Sequence, residues 1–345
     1  MGKQMKRYLL IASLLATSLL SAQAQLSSEN YLQTSTRISD SQMQTVTQYY
    51  DGLGRPTEKV EHGVTPDGTN LVHLQEYDGL GRDLRSWLPV KTSSSFLSFS
   101  DVSSLAQRQY NDSRAYSAFV YDGSPLDRVV QEEGVGEDWK NHPVKTDYLI
   151  NTTSFPLDCK YYRVSMQGEL QDKGYYPEGR LKITKATDED GHESYEFKNL
   201  SDRVILRRAM LSEKESADTY YIYDYRGNLS FVLPPNYQEE ASLDKYAYQY
   251  KYDGRGNSIW KKLPGCEPIN MRYTRNNRLA FLQDGNLRKK GDWKFYVYDK
   301  LGRMVVSGIT SSVSDVSESY VYAQYTGTGS LDGYEVVGTT ISPKS

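Results

Sequence analysis

The chain has 345 residues, a formal net charge of −3 at pH 7 and a mean hydropathy of −0.67. That length allows one large or two ordinary domains, and the acidic balance argues against a nucleic-acid partner, which would favour a basic patch. Tyr occurs 30 times against 8 for Phe; a ring that packs and a hydroxyl that wants a partner suit half-wetted sheet faces better than a thick apolar core.

The N-terminus carries Lys3, Lys6 and Arg7, then an apolar run from Leu9 to Leu20, then Ala22-Gln23-Ala24. A basic region, a short apolar stretch and a small-x-small site predict a cleaved secretory signal over residues 1–24. No Cys sits at the cut, which argues against a lipoprotein. The apolar run is shorter than the roughly 20 residues of a membrane-spanning helix, and no later segment is more apolar. The expectation is export to the periplasm, cell surface or medium, with no integral membrane segment after cleavage.

Residues 25–45 are polar and read as an extended lead-in. Residues 46–150 form a first region with YDGLGR at 50–55 and again at 77–82. Residues 91–147 are Ser-rich and loopier; a short helix is expected over 101–111, and YDGSPLDR stands at 121–128. Residues 151–345 carry a steadier rhythm: YEFKNLSDR at 195–203, YDYRGN at 223–228, YDGRGN at 252–257, YTRNNR at 273–278 and YDKLGR at 298–303. Steps of roughly 21–29 residues lie in the range of repeat proteins. A second short helix is expected from Asn236, with Asn236 and Glu239 at capping-box spacing. The tail from Ser307 alternates like strands with Gly turns.

The repeated unit reads as strand, turn, strand. Asp at the first turn position can accept a backbone N–H two residues on, and Gly three residues later can take the left-handed conformation that closes a three-residue hairpin with a bulge. Tyr before the turn is a strand former, and Arg after it can lie over a Tyr ring. The residues assigned to these turns are Tyr50, Asp51, Gly54 and Arg55; Tyr77, Asp78, Gly81 and Arg82; Tyr223, Asp224 and Gly227; Tyr252, Asp253 and Gly256; and Tyr298, Asp299, Gly302 and Arg303. Two copies lack the Gly: Asn277 tolerates the left-handed region, and Asp202 does so less readily.

Other chemistry is weakly indicated. The GxG of YDGLGR is followed by Thr57 and Leu84 where a phosphate loop needs its third Gly. The repeated Asp residues are occupied with their own turns, which does not suit a facing glycosidase pair. His62, His73, His142 and His192 are scattered, so neither a triad nor a metal site is indicated. Asp188-Glu-Asp-Gly-His-Glu193 reads as an acidic turn and not a calcium loop. Trp87, Trp139, Trp260 and Trp293 are candidates for a sugar platform, with packing between hairpins as the other reading. Cys159 and Cys266 lie far apart without a local pattern, and their pairing stays open.

These units resemble the YD-repeat, or Rhs-repeat, family. The segment QYYDGLGRPTEKVEHGVTPDGTNLVHLQEYDGLGRDLRSWLPV looks like the N-terminal domain of unknown function that opens large exported Rhs-type proteins, and FLQDGNLRKKGDWKFYVYDKLGR looks like a segment that follows it. The resemblance covers residues 30–335. It implies an all-β fold in which consecutive YD hairpins form a curved or spiralling sheet, a partial Rhs-type shell, with a few short helical insertions. In that family the shell encloses a C-terminal segment, often a toxin, that a core domain cuts free; teneurins carry a related shell. This chain has no DPxGR-type core motif and no variable C-terminal effector, so encapsulation and self-cleavage are not carried over, and the repeat region reads as incomplete at its C-terminal end. The expectation is a non-enzymatic structural or interaction protein without cofactor or metal, associating with or enclosing a protein partner or downstream effector segment. A carbohydrate-binding surface module is the alternative, and a truncated or split gene product the second.

Overall fold

The computed structural model describes residues 29–40, 42–299 and 301–311, and the backbone of three short strands between 329 and 343. The expected signal segment and most of the tail lie outside the described residues. The chain is mostly β, with antiparallel strands joined by tight turns and a few short helices. It divides into two units: one runs to Asp147 and includes Ala186–His192, the other comprises Tyr148–Lys185 and the chain from Glu193 onward.

In the first unit β1 (Asn30–Arg37), β2 (Met43–Tyr50), β3 (Pro56–His62) and β4 (Asn70–Tyr77) follow one another as an antiparallel meander. The stretch expected as a lead-in is thus a sheet strand, with Asn30–Arg37 in full register against Met43–Tyr50. Its YLQTSTR alternation is that of a half-buried strand, and pairing satisfies the backbone groups that a free lead-in would leave to water. The far side of β4 is shared, Asn70–Val72 pairing with β6 (Val90–Thr92) and Gln75–Tyr77 with β5 (Asp83–Trp87). From β5 the meander continues through β7 (Tyr116–Tyr121), β8 (Val129–Glu133) and the start of β9 (Val144–Ile150).

The period-2 alternation of strands puts one cross-strand row, Thr47, Val60, Val72 and Val90, wholly inside. Helix α1 (Phe99–Tyr110) lays Val102 and Ala106 on this face. Ser98 caps it by accepting from the Asp101 N–H, and Asn111 ends it in the left-handed conformation. The helix therefore begins two residues earlier than its sequence signal. A 3₁₀ turn at Glu137–Asn141 was not anticipated.

In the second unit a hairpin of β10 (Lys160–Val164) and β11 (Leu170–Tyr175) stands as its own two-stranded sheet. After β12 (Lys182–Thr187), the strands β13 (Glu193–Lys198), β14 (Val204–Met210), β15 (Ser216–Tyr223), β16 (Leu229–Leu233), β17 (Tyr248–Tyr252), β18 (Ser258–Lys262), β19 (Ile269–Tyr273), β20 (Leu279–Gln283), β21 (Trp293–Tyr298) and β22 (Met304–Thr310) each pair antiparallel with the next. The buried row Phe197, Leu206, Tyr220 and Leu233 crosses β13–β16, and Cys159, Leu181 and Ile183 pack with it. β23 (Gly329–Leu331), β24 (Tyr334–Val337) and β25 (Thr340–Pro343) form a small meander.

The connection after β16 departs from its expected form. Helix α2 (Pro235–Glu239) is capped at Pro234 without a side-chain bond, so the Asn236–Glu239 capping box does not form. Pro235 occupies the first helical position, where its fixed φ and missing N–H are favourable, and this places Asn236 inside the helix. A break follows, then α3 (Leu243–Tyr246), capped by Ser242. The corresponding connection after β20 holds α4 (Gly285–Lys290), which the sequence reading missed. Asp284 caps it at one end and Gly291 at the other, but Gly285 and Asn286 are poor helix formers.

Candidate functional site

Each YDxxG unit builds the same turn. In the first, Asp51 Oδ1 accepts the N–H groups of Leu53 (2.8 Å) and Arg55 (2.9 Å), and Oδ2 receives the Arg55 guanidinium at 2.7 Å. The backbone closes with Asp51 N–H to Arg55 O and Gly54 N–H to Asp51 O. Gly54 has φ +80, and the ladder slips by one residue at Tyr50, which is the bulge of a three-residue hairpin. Asp78 and Arg82 repeat this geometry, as do Asp299 and Arg303. The Arg55 N–H first, then its guanidinium, holds the Asp51 carboxyl below its ordinary range, and Arg82 does the same for Asp78. In the units opened by Asp224 and Asp253, Asn228 and Asn257 replace Arg and donate Nδ2–H to the same carboxylate oxygen at 3.0 and 2.9 Å; Gly227 and Gly256 take the positive φ there.

The degenerate copies keep the turn. Asp202 has φ +59 and Asn277 +57, so Asp202 adopts the left-handed conformation as fully as Asn277. Asn199 accepts the N–H groups of Ser201 and Arg203, each at 3.0 Å, in the role of Asp. Asp127 (φ +48) closes the longer turn of 121–128. The acidic stretch 188–192 is a further copy: Asp188 Oδ1 accepts from Asp190 and His192, and His192 stands where Arg would. The spacing Asp-x-x-Gly would have revealed it, had Tyr not been demanded first.

What the sequence did not disclose is how one unit grips the next. In five units the Tyr donates its hydroxyl to the carbonyl just beyond the preceding turn: Tyr77 to Pro56 O (2.8 Å), Tyr121 to Asp83 O (2.8 Å), Tyr223 to Val204 O (3.1 Å), Tyr252 to Leu229 O (2.8 Å) and Tyr298 to Leu279 O (2.9 Å). Where the preceding turn ends in Arg, its guanidinium lies over that same ring, Arg55 on Tyr77 at 4.6 Å and Arg82 on Tyr121 at 4.4 Å, with Arg203 on Tyr223 and Arg278 on Tyr298 at 5.6 Å. The guanidinium also occupies the space a Cβ would need on the next turn Gly, at Gly81, Gly227 and Gly302. In these units Tyr, Asp and Gly are thus engaged in holding the sheet and its turns, and Arg55, Arg82 and Arg303 face the Asp of their own turn.

A second polar centre lies under the β10–β11 hairpin. Arg208, only 4% exposed, makes a two-pronged contact with Asp218 (2.8 and 2.6 Å) and reaches Asp158 Oδ1 (2.9 Å) and Pro156 O (2.7 Å). Burial pushes its pKa down, but the two carboxylates pull it higher still, so the charge is kept. Tyr162 of the hairpin meets Tyr220 of the sheet edge-on at 5.2 Å. Beside this anchor, clefts of about 200, 330 and 410 Å³ open; tyrosines of the hairpin and of β15 line much of the first, whereas the second is walled mainly by polar and charged side chains, Asp158, Arg208, Asp218 and Glu239 among them.

Glu58 is the unexpected acid. It sits on the buried face between Tyr49 and Leu74, 2% exposed, and its carboxylate receives the Leu97 N–H at 3.2 Å. Burial, with a smaller contribution from Glu29, pushes its pKa up to about 7. Residues 94–97 form a strap over it, held also by Tyr49 Oη to Ser95 O and Asn70 Nδ2 to Ser94 O.

The other candidates do not converge. Trp87 is buried against Tyr116 in the first unit, where Trp139 is half exposed; in the second, Trp260 faces Lys251 and Trp293 faces Arg272. His62 bonds Thr47, and His142 meets the Glu189 carbonyl. Cys159 is buried and Cys266 exposed, and both are free thiols. Among the described residues no group of three His, Cys, Asp or Glu could hold a metal ion, and no helix is long and apolar enough to cross a membrane.

Residues 22–150 match a family model described as "Domain of unknown function (DUF6443)". No curated protein matches the chain. Among solved structures, it is similar to TcdB2-TccC3 without its hypervariable C-terminal region, with a TM-score of 0.56 and 14% identity over 82% of this chain and 13% of that one. It is likewise similar to TcdB2-TccC3-TEV, with a TM-score of 0.57 and 14% identity over 90% of this chain and 15% of that one. The chain therefore spans only a small part of the length of those it resembles, and at such identity the likeness is one of fold. This is an all-β chain whose first region matches DUF6443 and whose hairpin succession has the fold of part of TcdB2-TccC3.

Proposed function

We propose that this chain is a non-enzymatic structural segment of an exported β-shell of the Rhs or YD-repeat type, which associates with a second polypeptide. The observation that carries the reading is the occupancy of the motif. Every turn Asp holds its own loop, and the Tyr hydroxyls of five units bond the carbonyl of the unit before, so the repeated residues build surface instead of performing chemistry. The fold likeness to part of a two-component protein, TcdB2-TccC3, supports a role as one piece of a larger β assembly.

The test is co-expression of the chain with the product of the adjacent reading frame, followed by native mass spectrometry of the exported fraction. A stable heteromer is expected, with the N-terminus of the exported chain at Gln25. A monomer that gains neither mass nor protease resistance from the neighbouring product would overturn the association, and a chain retained in the cytoplasm would overturn export.

A further inference from the structure

Turn by turn, the charges of the repeat balance differently. Arg55, Arg82 and Arg303 each face the Asp that opens their own turn. Arg203 does not, because Asn199 has replaced that Asp and bonds only backbone N–H groups. Arg203 is left stacked on Tyr223 with its charge uncompensated, and no ion pair to it is found among the described residues. It lines the cleft of about 200 Å³ under the β10–β11 hairpin, together with Lys160 and Arg163. The adjoining cleft of about 410 Å³ shares Tyr161, Tyr176 and Asn199 with it and adds Arg180, Pro177 and Leu200. Among the described residues none of these four cations pairs with a carboxylate. The one acid in the lining, Asp224, is committed to the N–H groups of Arg226 and Asn228 and to the Asn228 amide.

The cleft is therefore cationic in a chain of net charge −3. Its floor is apolar: the Tyr161 and Tyr176 rings lie 4.4 Å apart, and Leu200 is 76% exposed beside them. Cations fringing an exposed aliphatic and aromatic floor match a chain that presents carboxylates next to apolar side chains. We propose that this double cleft binds an acidic peptide segment, its carboxylates on Arg203, Arg163 and Arg180 and an apolar side chain on the Tyr161–Tyr176–Leu200 floor. A flat, wholly polar sugar acid would use the cations but leave Leu200 and Pro177 uncovered, which favours the peptide.

The probe is a short fluorescein-labelled peptide alternating glutamate with leucine, titrated with the full mature chain and read by anisotropy. Saturable binding is expected, weakening with added salt. Arg203→Gln and Arg163→Gln should each raise Kd about tenfold, the loss of one charge-assisted contact, and Arg203→Lys should recover part of the loss. Arg163 is exposed and makes no side-chain bond to a described residue, so its variant keeps the fold and the test stands even if Arg203→Gln disturbs the turn. Absence of saturation, equal affinity of the Arg163→Gln variant, or displacement by oligogalacturonate at lower concentration than by unlabelled peptide would each overturn the proposal.

Discussion

The Tyr77 hydroxyl donates to the Pro56 carbonyl at 2.8 Å while the Arg55 guanidinium lies 4.6 Å above the Tyr77 ring. One side chain thereby receives two contacts from the preceding turn, one at its polar tip and one on its face. The same pairing recurs at Tyr121, Tyr223 and Tyr298. It couples hairpins through groups about twenty or more residues apart in the chain, and it gives these tyrosines a role that Phe could not fill.

Removing a single hydroxyl should therefore cost stability. Tyr77→Phe, Tyr223→Phe and Tyr252→Phe are each expected to destabilise by about 1 kcal/mol, the usual net worth of such a bond. Tyr273→Phe should be close to neutral, since its hydroxyl reaches only the Met271 sulfur at 3.8 Å. Urea transitions of the four variants, compared with wild type, provide the check.

Glycine at the turn has one duty in the first copy and two in the second. Gly54→Ala should cost about 1 kcal/mol for the left-handed backbone alone, because a Cβ there meets nothing. Gly81→Ala should cost about 2 kcal/mol, because its Cβ also displaces the Arg55 guanidinium from Tyr77. Equal losses at the two sites would argue against the inter-repeat contact.

Arg208 links the β10–β11 hairpin to the sheet through Asp158 and Asp218. Arg208→Met leaves two carboxylates facing one another with no cation, and a loss of about 3–5 kcal/mol is expected. Limited proteolysis is then expected to cut within residues 152–175 faster than in the wild-type protein. A variant as resistant as wild type would show that the hairpin is held by Tyr162 and its apolar contacts alone.

Glu58 should impose a pH dependence of unusual sign. Its folded pKa of about 7 lies above the ordinary 4.5, so the folded state binds the extra proton. Its contribution is whole below pH 4.5, falls as pH rises toward 7 and is flat above, a loss of up to about 3 kcal/mol. Glu58→Gln should remove that slope while keeping the Leu97 N–H bond. The difference in unfolding free energy between variant and wild type, measured from pH 4 to 8, isolates Glu58 from the turn carboxylates, whose lowered pKa values act with the opposite sign at more acid pH.

The two thiols should differ in reactivity. Cys266 is exposed, whereas burial pushes the Cys159 thiol well up. One equivalent of a thiol reagent should react with the native protein and the second only on unfolding.

The sequence alone determined what depends on residues within five positions of one another. Asp at the turn start, Gly or Asn at its fourth place and β-rich flanks dictate hairpins through backbone sterics and short hydrogen bonds, so the all-β reading and the turns could be had from the letters. The helix at Gly285–Lys290 escaped because its caps are sound but its interior is weak, and the Asn236 cap failed because Pro235 had already claimed the helix start. Only the tertiary structure decided which Arg meets which Tyr, why Glu58 is inside and that Arg203 comes to line a cleft. Those outcomes rest on register and sheet twist between strands some twenty residues apart, and on a hairpin folding back over β15. Turn chemistry is written in each repeat, whereas the contacts between repeats exist only once the strands lie side by side.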